Sequence, residues 1–228
     1  MIRNHRKSLI TFCGILAAGI LLAGTSSALA GPKPKGKGKH QAEPATDVAA
    51  AKVGDKTPDF TLKDTEGKTH RLSDYTKEGK TVVLEWFNPE CPFVKLHHEK
   101  LTTMADLYKT YNSKNVVILS INSTNSGNPG YGKDAEVKKN WKISWPILND
   151  SDGKVGRLYG AKNTPQMFVI DKDGKLRYSG AIDNDQRNEK KGKDKENYVR
   201  EAVDSVLAGK KVAHAETKPY GCGVKYKG

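Results

Sequence analysis

The chain has 228 residues, of which 39 are Lys or Arg and 26 are Asp or Glu, so its formal net charge at pH 7 is +13. This length fits one folded domain with appendages and argues against several independent domains. The positive charge favours anionic surfaces, although a solvated basic exterior is the simpler explanation and the one we prefer. The cluster Lys190-Lys191-Gly192-Lys193 has acidic neighbours and no aromatic platform, so we expect no nucleic-acid partner.

The first 30 residues predict a secretory signal peptide. They combine a basic start at Arg3, Arg6 and Lys7, an apolar run over residues 9–23 and the small-residue sequence Ala28-Leu29-Ala30. We therefore expect a periplasmic or secreted protein, in a compartment where thiols are readily oxidised. An uncleaved N-terminal anchor is the alternative.

Residues 31–52 predict a flexible basic linker. The segment has no hydrophobic periodicity and is rich in Lys, Gly and Pro, then in Ala, which is typical of an extended tether. It acts either as a spacer or as an attachment to an anionic envelope surface. Cys13 belongs to the signal peptide, so the mature chain retains Cys91 and Cys222, the smallest number that forms one internal disulfide.

The pattern of apolar residues and turn signals predicts the elements from residue 53 onward. In chain order they are a hairpin (58–62 and 69–72), a buried strand (82–86), a helix (92 to about 112), a strand (116–122), a helix (134–141), an extended piece (145–148), a helical turn (155–159), a second hairpin (166–171 and 176–180), a helix (198–207) and a tail (210–228). This order predicts an α/β fold, in which a mixed sheet carries helices on both faces.

Cys91 lies where the strand 82–86 gives way to the next helix. Asn88-Pro89 is a turn signal, and Pro92 suits the first position of a helix because its missing N–H would be unpaired there. Cys91 is then the N-cap, where backbone N–H groups and the helix dipole favour a thiolate. We expect an accessible, acidified nucleophile; the alternative is a buried cysteine that behaves as a small apolar side chain.

Four segments in this order resemble the redoxin-domain proteins of the alkyl hydroperoxide reductase/thiol-specific antioxidant superfamily, and within them a peroxiredoxin-like subgroup of exported thioredoxin-like proteins. The segments are residues 87–95 (FNPECPFVK), 164–171 (TPQMFVID), 178–183 (YSGAID) and 221–226 (GCGVKY). The resemblance implies a thioredoxin fold over residues 53–209, with an N-terminal hairpin and with Cys222 in the tail 210–228.

The resemblance also implies the chemistry. It makes the protein a thiol oxidoreductase or peroxiredoxin-like antioxidant protein that needs no cofactor and acts on a peroxide or a protein disulfide, with an unidentified thiol as reductant. Cys91 is the expected nucleophile, and Cys222, whose flanking glycines allow close backbone approach, is the expected resolving cysteine. Pro92, Thr164 and Pro165 are the expected substrate contacts, and Pro165 is expected to be cis and to face Cys91.

The sequence departs from the wider family at several positions. Val94 replaces the second cysteine of a Cys-x-x-Cys motif, so the chemistry needs one thiol or a distant partner. Leu84 and Asn88 replace the Pro and Thr of the peroxide-activating motif, which weighs against a peroxidase. Two alternatives stay open: a redoxin-fold protein with a permanent Cys91–Cys222 disulfide, and a copper chaperone, weakened because Phe87 stands where that family has a cysteine.

Three further side chains near Cys91 in sequence are candidates for the site. His97 falls in the apolar stripe of the predicted helix, and His98 lies about 10 Å from Cys91 along it, too far for direct proton transfer. We expect no metal site, since further donors would have to come from elsewhere. Glu85 faces either the site or solvent.

Overall fold

A computed structural model describes residues 50–227. The predicted signal peptide, 1–30, and nearly all of the predicted linker, 31–52, lie outside this range. Within the described residues, no helix is both long enough and apolar enough to cross a bilayer.

The main sheet has seven strands and is mixed, as the sequence predicts. The strands are β1 Thr61–Asp64, β2 Thr69–Arg71, β3 Thr81–Trp86, β4 Val116–Asn122, β5 Ile147–Asn149, β7 Gln166–Ile170 and β8 Leu176–Gly180. Their order in the sheet is β2-β1-β5-β4-β3-β7-β8, and β3 pairs with β4 in parallel and with β7 in antiparallel orientation. The central strand β3 is buried along its whole length, which fits its run of β-branched and aromatic residues.

The helices cover the sheet on both faces and form two hydrophobic layers. They are α1 Leu72–Lys77, α2 Pro92–Lys95, α3 Thr103–Tyr111, α4 Asp134–Asn140, α5 Lys154–Tyr159 and α6 Tyr198–Leu207. Because side chains alternate along a strand, Val83 and Phe87 of the central segment pack in one layer, together with Cys91. Leu84 and Trp86 pack in the other layer.

The prediction of one uninterrupted helix from residue 92 to about 112 is wrong. Helix α2 continues into a π-helical turn, Leu96–Lys100, in which the Leu101 N–H donates to the Leu96 carbonyl. Thr102 then adopts a left-handed conformation, with φ 52°, and α3 begins one residue later. The turn shifts the buried side of the helix, because Val94, His97 and His98 are buried whereas Phe93, Leu96 and Leu101 are only partly buried.

A small second sheet joins the tail to the domain. Strand β6, Asn163–Thr164, pairs in antiparallel orientation with β9, Cys222–Gly223. The charged segment 184–196 is largely exposed but has one buried polar anchor. Asp185 is 3% exposed, accepts backbone N–H bonds from Glu189 and Lys190, and lies 3.3 Å from the Lys195 Nζ.

Candidate active site

The loop after β3 holds Cys91 at the start of α2, as the sequence predicts. The Asn88 side chain accepts a hydrogen bond from the Glu90 N–H (2.8 Å) and donates one to the Pro129 carbonyl (3.2 Å). Cys91 is the N-cap in an extended conformation, and Pro92 occupies the first helical position. The Cys91 backbone carbonyl accepts from the Lys95 N–H at 3.0 Å, so the first hydrogen bond of the helix is made by the cysteine.

Thr164 and Pro165 lie against Cys91. The Thr164–Pro165 peptide bond is cis, as the resemblance implies. The Cys91 thiol donates to the Thr164 carbonyl oxygen over 2.9 Å. Thr164 and Pro165 are buried, whereas Pro92 is exposed beside them. The structure thus brings together the residues expected to contact substrate.

The tail brings the second cysteine to the same place. Cys222 is the direct strand partner of Thr164. The preceding Gly221 has φ 119°, and a Cβ there would lie 2.1 Å from the Thr164 carbonyl oxygen, so only glycine fits. A Cβ on Gly223 would have no neighbour nearer than 3.9 Å. One of the two flanking glycines therefore permits the close approach, and the other is not required for it.

The expectation of an accessible Cys91 is wrong for this state of the molecule. Cys91 is 2% exposed and lies in the hydrophobic core with Val94, and Tyr220 and Cys222 of the tail pack, partly buried, against that core. The cover is the tail, which is paired to β6 beside the cysteine. Burial here is caused by a segment about 130 residues away in sequence, which local patterns around Cys91 do not reveal.

The two thiols differ in acidity. Burial raises the pKa of Cys91, but hydrogen bonds from the side chains of Thr164 and Cys222 and from the backbone N–H groups of Val94 and Cys222 outweigh it, so the net pKa is lowered. For Cys222, partial burial raises the pKa, and the hydrogen bond and charge of Cys91 raise it further. Both cysteines are free. Of the two thiols, Cys91 is therefore the more acidic.

Glu85 is neither at the thiols nor on the solvent side. It is 0% exposed, accepts from His98 Nε2 over 2.8 Å and accepts from the Ser120 hydroxyl over 2.6 Å. The Trp145 indole N–H in turn donates to the Ser120 oxygen at 2.9 Å. This closed network satisfies a carboxylate in the core, and β3 places it on the face that Cys91 covers.

His97 is buried, as its position in the apolar stripe predicts, but it serves a polar network. Its Nε2 lies 2.9 Å from the Tyr220 hydroxyl, and its Nδ1 lies 3.1 Å from the Thr103 hydroxyl. The Tyr220 hydroxyl also donates to Asp183 Oδ1 over 2.5 Å. Sequence reasoning missed Tyr220 and Asp183. The sequence marked them only by position. Asp183 ends the segment 178–183, and Tyr220 directly precedes the segment 221–226; both segments carry the family resemblance.

No metal centre is formed by the described residues. Within 50–227, no three His, Cys, Asp or Glu side chains are grouped so that they could hold an ion. The copper-chaperone alternative therefore gains no support from this part of the chain.

Comparison with known proteins identifies the family. The model of the AhpC/TSA family matches residues 53–179, which is more than half of the chain. The chain belongs to the AhpC/TSA family. The match ends before the tail, so it leaves the role of Cys222 to the structure.

Individual relatives agree with this assignment. The thiol-disulfide oxidoreductase ResA of Geobacillus thermodenitrificans is 34% identical over 132 residues, which is 58% of this chain and 71% of that protein. Among solved structures, a hypothetical protein of Sinorhizobium meliloti has a TM-score of 0.65 and 28% identity, over 78% of this chain and 96% of that one. An uncharacterised conserved protein of Geobacillus kaustophilus has a TM-score of 0.66 and 27% identity, over 78% and 94%. The family match, together with the mixed sheet flanked by helices, agrees with the predicted α/β thioredoxin fold.

Proposed function

We propose that the protein is a thiol–disulfide oxidoreductase in which Cys91 is the nucleophile and Cys222 is the resolving cysteine. The observation that carries the proposal is the pairing of Cys222 with Thr164, which holds a second thiol beside Cys91. The lowered pKa of Cys91 and the raised pKa of Cys222 give the two thiols different tasks. The ResA relatives carry this activity in their name.

The proposed reaction has two exchange steps. The Cys91 thiolate attacks one sulfur of a substrate disulfide, forms a mixed disulfide and releases the other substrate sulfur as a thiolate. Cys222 then loses its proton and attacks the Cys91 sulfur, which forms the Cys91–Cys222 disulfide and releases the second substrate thiolate. The substrate gains two electrons and two protons, and the protein loses them. An external thiol restores the dithiol state, and no cofactor takes part.

Protein disulfides are the proposed substrates, and Pro92, Thr164 and Pro165 are the proposed contacts. The exposed Pro92 ring offers a surface beside the thiol, but the backbone of Thr164 is occupied by the tail. A protein substrate therefore requires the tail to move aside. Thr164 and Pro165 become available to the substrate only then.

A hydroperoxide is the second candidate substrate, favoured by the 2% exposure of Cys91, since a small molecule needs less room. The Cys91 thiolate would take an oxygen atom from the peroxide and become a sulfenic acid, while the alkoxide released takes up a proton. Condensation with the Cys222 thiol would then release water and form the same disulfide.

We also propose that the protein works outside the cytoplasm, with the folded domain 53–209 joined to a C-terminal tail, 210–228, that carries Cys222. The signal-peptide pattern of residues 1–30 supports export, and the basic segment 31–52 supports contact with an anionic envelope surface. N-terminal sequencing of the protein recovered from cells should start at Gly31. An intact Met1 would contradict cleavage.

Turnover of a fluorescent peptide disulfide tests the proposed activity. The wild-type protein should reduce it in the presence of a dithiol, and Cys91→Ser should fall to the uncatalysed background because the nucleophile is lost. The mature chain brings no third thiol into the assay, since Cys91 and Cys222 are its only cysteines after Cys13. Equal turnover by wild type and Cys91→Ser would reject the activity and favour a non-catalytic redoxin-fold protein.

A further inference from the structure

Tyr220 docks the tail onto the helix that begins at Cys91. It lies two residues before Cys222, and its ring packs edge-on against Phe93 with the centroids 5.9 Å apart. Its hydroxyl contacts His97 and Asp183, so one side chain joins the tail to α2 and its π-helical extension and to the segment after β8. Two residues span at most about 7 Å, so fixing Tyr220 confines Cys222 to a small volume.

The hydrogen bonds around Tyr220 are satisfied in a single arrangement of protons. The Asp183 carboxylate only accepts, so the Tyr220 hydroxyl gives its proton to Asp183 Oδ1. His97 Nε2 must then be the donor to the Tyr220 oxygen. Burial lowers the pKa of His97, so the ring is neutral and its Nδ1 accepts from the Thr103 hydroxyl.

The network has no replacement partner at hand. His97 and Asp183 are 0% and 2% exposed, and Asp183 Oδ2 has no hydrogen-bond partner within residues 50–227. If the Tyr220 hydroxyl were removed, His97 Nε2 would lose its partner and Asp183 Oδ1 would keep only the Asp185 N–H, in a place where water has little access. Such losses weaken the docked state of the tail relative to the undocked state.

We propose that Tyr220 is a positioning residue for the second exchange step: it holds Cys222 against Cys91 and so raises the effective concentration of the resolving thiol. This inference rests on the proposed function, because it presupposes that the Cys91–Cys222 disulfide forms. Tyr220 acts through Cys222 and takes no part in the first attack by Cys91. If Tyr220 had only a structural role, its replacement would lower the stability of the fold and would affect the attack by Cys91 and the attack by Cys222 alike.

The redox equilibrium with glutathione measures the positioning directly. In Tyr220→Phe the equilibrium constant for closing the Cys91–Cys222 disulfide should fall about tenfold, which makes its reduction potential about 30 mV less negative. The matched control is Tyr131→Phe, because Tyr131 is 46% exposed and lies outside the network. Asp183→Asn is the second variant, which keeps the shape of the side chain and removes its charge.

A separate measurement isolates the first step. In a Cys222→Ser background, the rate at which glutathione disulfide modifies Cys91 should be unchanged or faster when Tyr220→Phe is added, because the cover over Cys91 is loosened. A slower rate would indicate general damage to the site and would count against positioning. Circular dichroism at the assay temperature verifies that each variant is folded, and Asp183→Asn replaces Tyr220→Phe if the latter is not.

The outcomes separate this inference from the proposed function. If the wild type forms the Cys91–Cys222 disulfide and the equilibrium constant for closing it is tenfold smaller in Tyr220→Phe, both the proposed function and the positioning role are supported. A wild-type disulfide that is equally stable in Tyr220→Phe and Asp183→Asn overturns the positioning role and leaves the proposed function intact. If the wild type forms no Cys91–Cys222 disulfide in any glutathione mixture, the proposed function fails and the inference fails with it.

Discussion

The acidity of Cys91 is a balance between burial and hydrogen bonding. Burial in the core works against the thiolate, and the donors from Thr164, Val94 and Cys222 work for it. One of these donors, the Cys222 thiol, comes from the tail. Cys91, the proposed nucleophile, is therefore acidified in part by Cys222, the proposed resolving cysteine.

Two replacements of Cys222 separate this contribution. Cys222→Ser keeps a hydroxyl that donates to the Cys91 sulfur, whereas Cys222→Ala removes the donor, so we expect a higher pKa of Cys91 in Cys222→Ala. The pKa is read from the pH dependence of thiolate absorbance in the ultraviolet. As the pH falls, Cys91 should become protonated earlier in Cys222→Ala than in Cys222→Ser. Identical titrations would show that the Cys222 thiol contributes nothing to the acidity.

At the residue scale, the sequence predicted the position of Cys91 and missed its surroundings. The N-cap position of Cys91 was predictable because its signals, Asn88-Pro89 and Pro92, lie within a few residues of it. The environment of Glu85 was not predictable, because its partners His98 and Ser120 lie 13 and 35 residues away. A buried carboxylate depends on such partners, and a single sequence does not reveal which residues they are.

At the scale of elements, the tail strand β9 is the part that completes the site. It binds to the edge of β6 through Thr164 and Asn163, and Tyr226 extends the attachment by donating to the Ala161 carbonyl over 2.8 Å. An edge strand offers free backbone groups, and here the chain's own end takes them. The succession of the main strands along the chain was predictable from local patterns, whereas a two-residue strand in a polar tail was not.

The two glycines beside Cys222 provide a matched test of this attachment. Gly221→Ala places a methyl group 2.1 Å from the Thr164 carbonyl oxygen at φ 119°, so the pairing of β9 with β6 should break. Gly223→Ala meets nothing within 3.9 Å and should leave it intact. Alkylation of Cys91 in the reduced protein, followed by peptide mapping, should be about tenfold faster in Gly221→Ala.

Equal alkylation rates in the two glycine variants would show that β9 does not cover Cys91. Faster alkylation in Gly223→Ala than in Gly221→Ala would contradict the pairing itself. Because both changes are Gly to Ala and both flank the same cysteine, a general effect on the tail would alter them alike.

At the scale of the whole molecule, the proposed catalytic pair joins the domain to its tail. The AhpC/TSA match over residues 53–179 supplies Cys91, the sheet and the Thr164–Pro165 segment, and the tail supplies Cys222. The α/β order of the domain is encoded locally along the chain, and therefore the fold was predicted. The closing of the tail depends on contacts between distant segments, such as Tyr220 with His97, and therefore the burial of Cys91 was not.

Trapping of the mixed disulfide tests the division of labour between the two cysteines most directly. After incubation with glutathione disulfide, Cys222→Ser should accumulate glutathione on Cys91, because the thiol that resolves it is absent. Cys91→Ser should accumulate less on Cys222, since burial alone raises the pKa of Cys222 and its thiol lacks the donors that lower the pKa of Cys91. Mass spectrometry that finds this asymmetry supports the account; equal modification of the two variants, or none of Cys91 in Cys222→Ser, would contradict it.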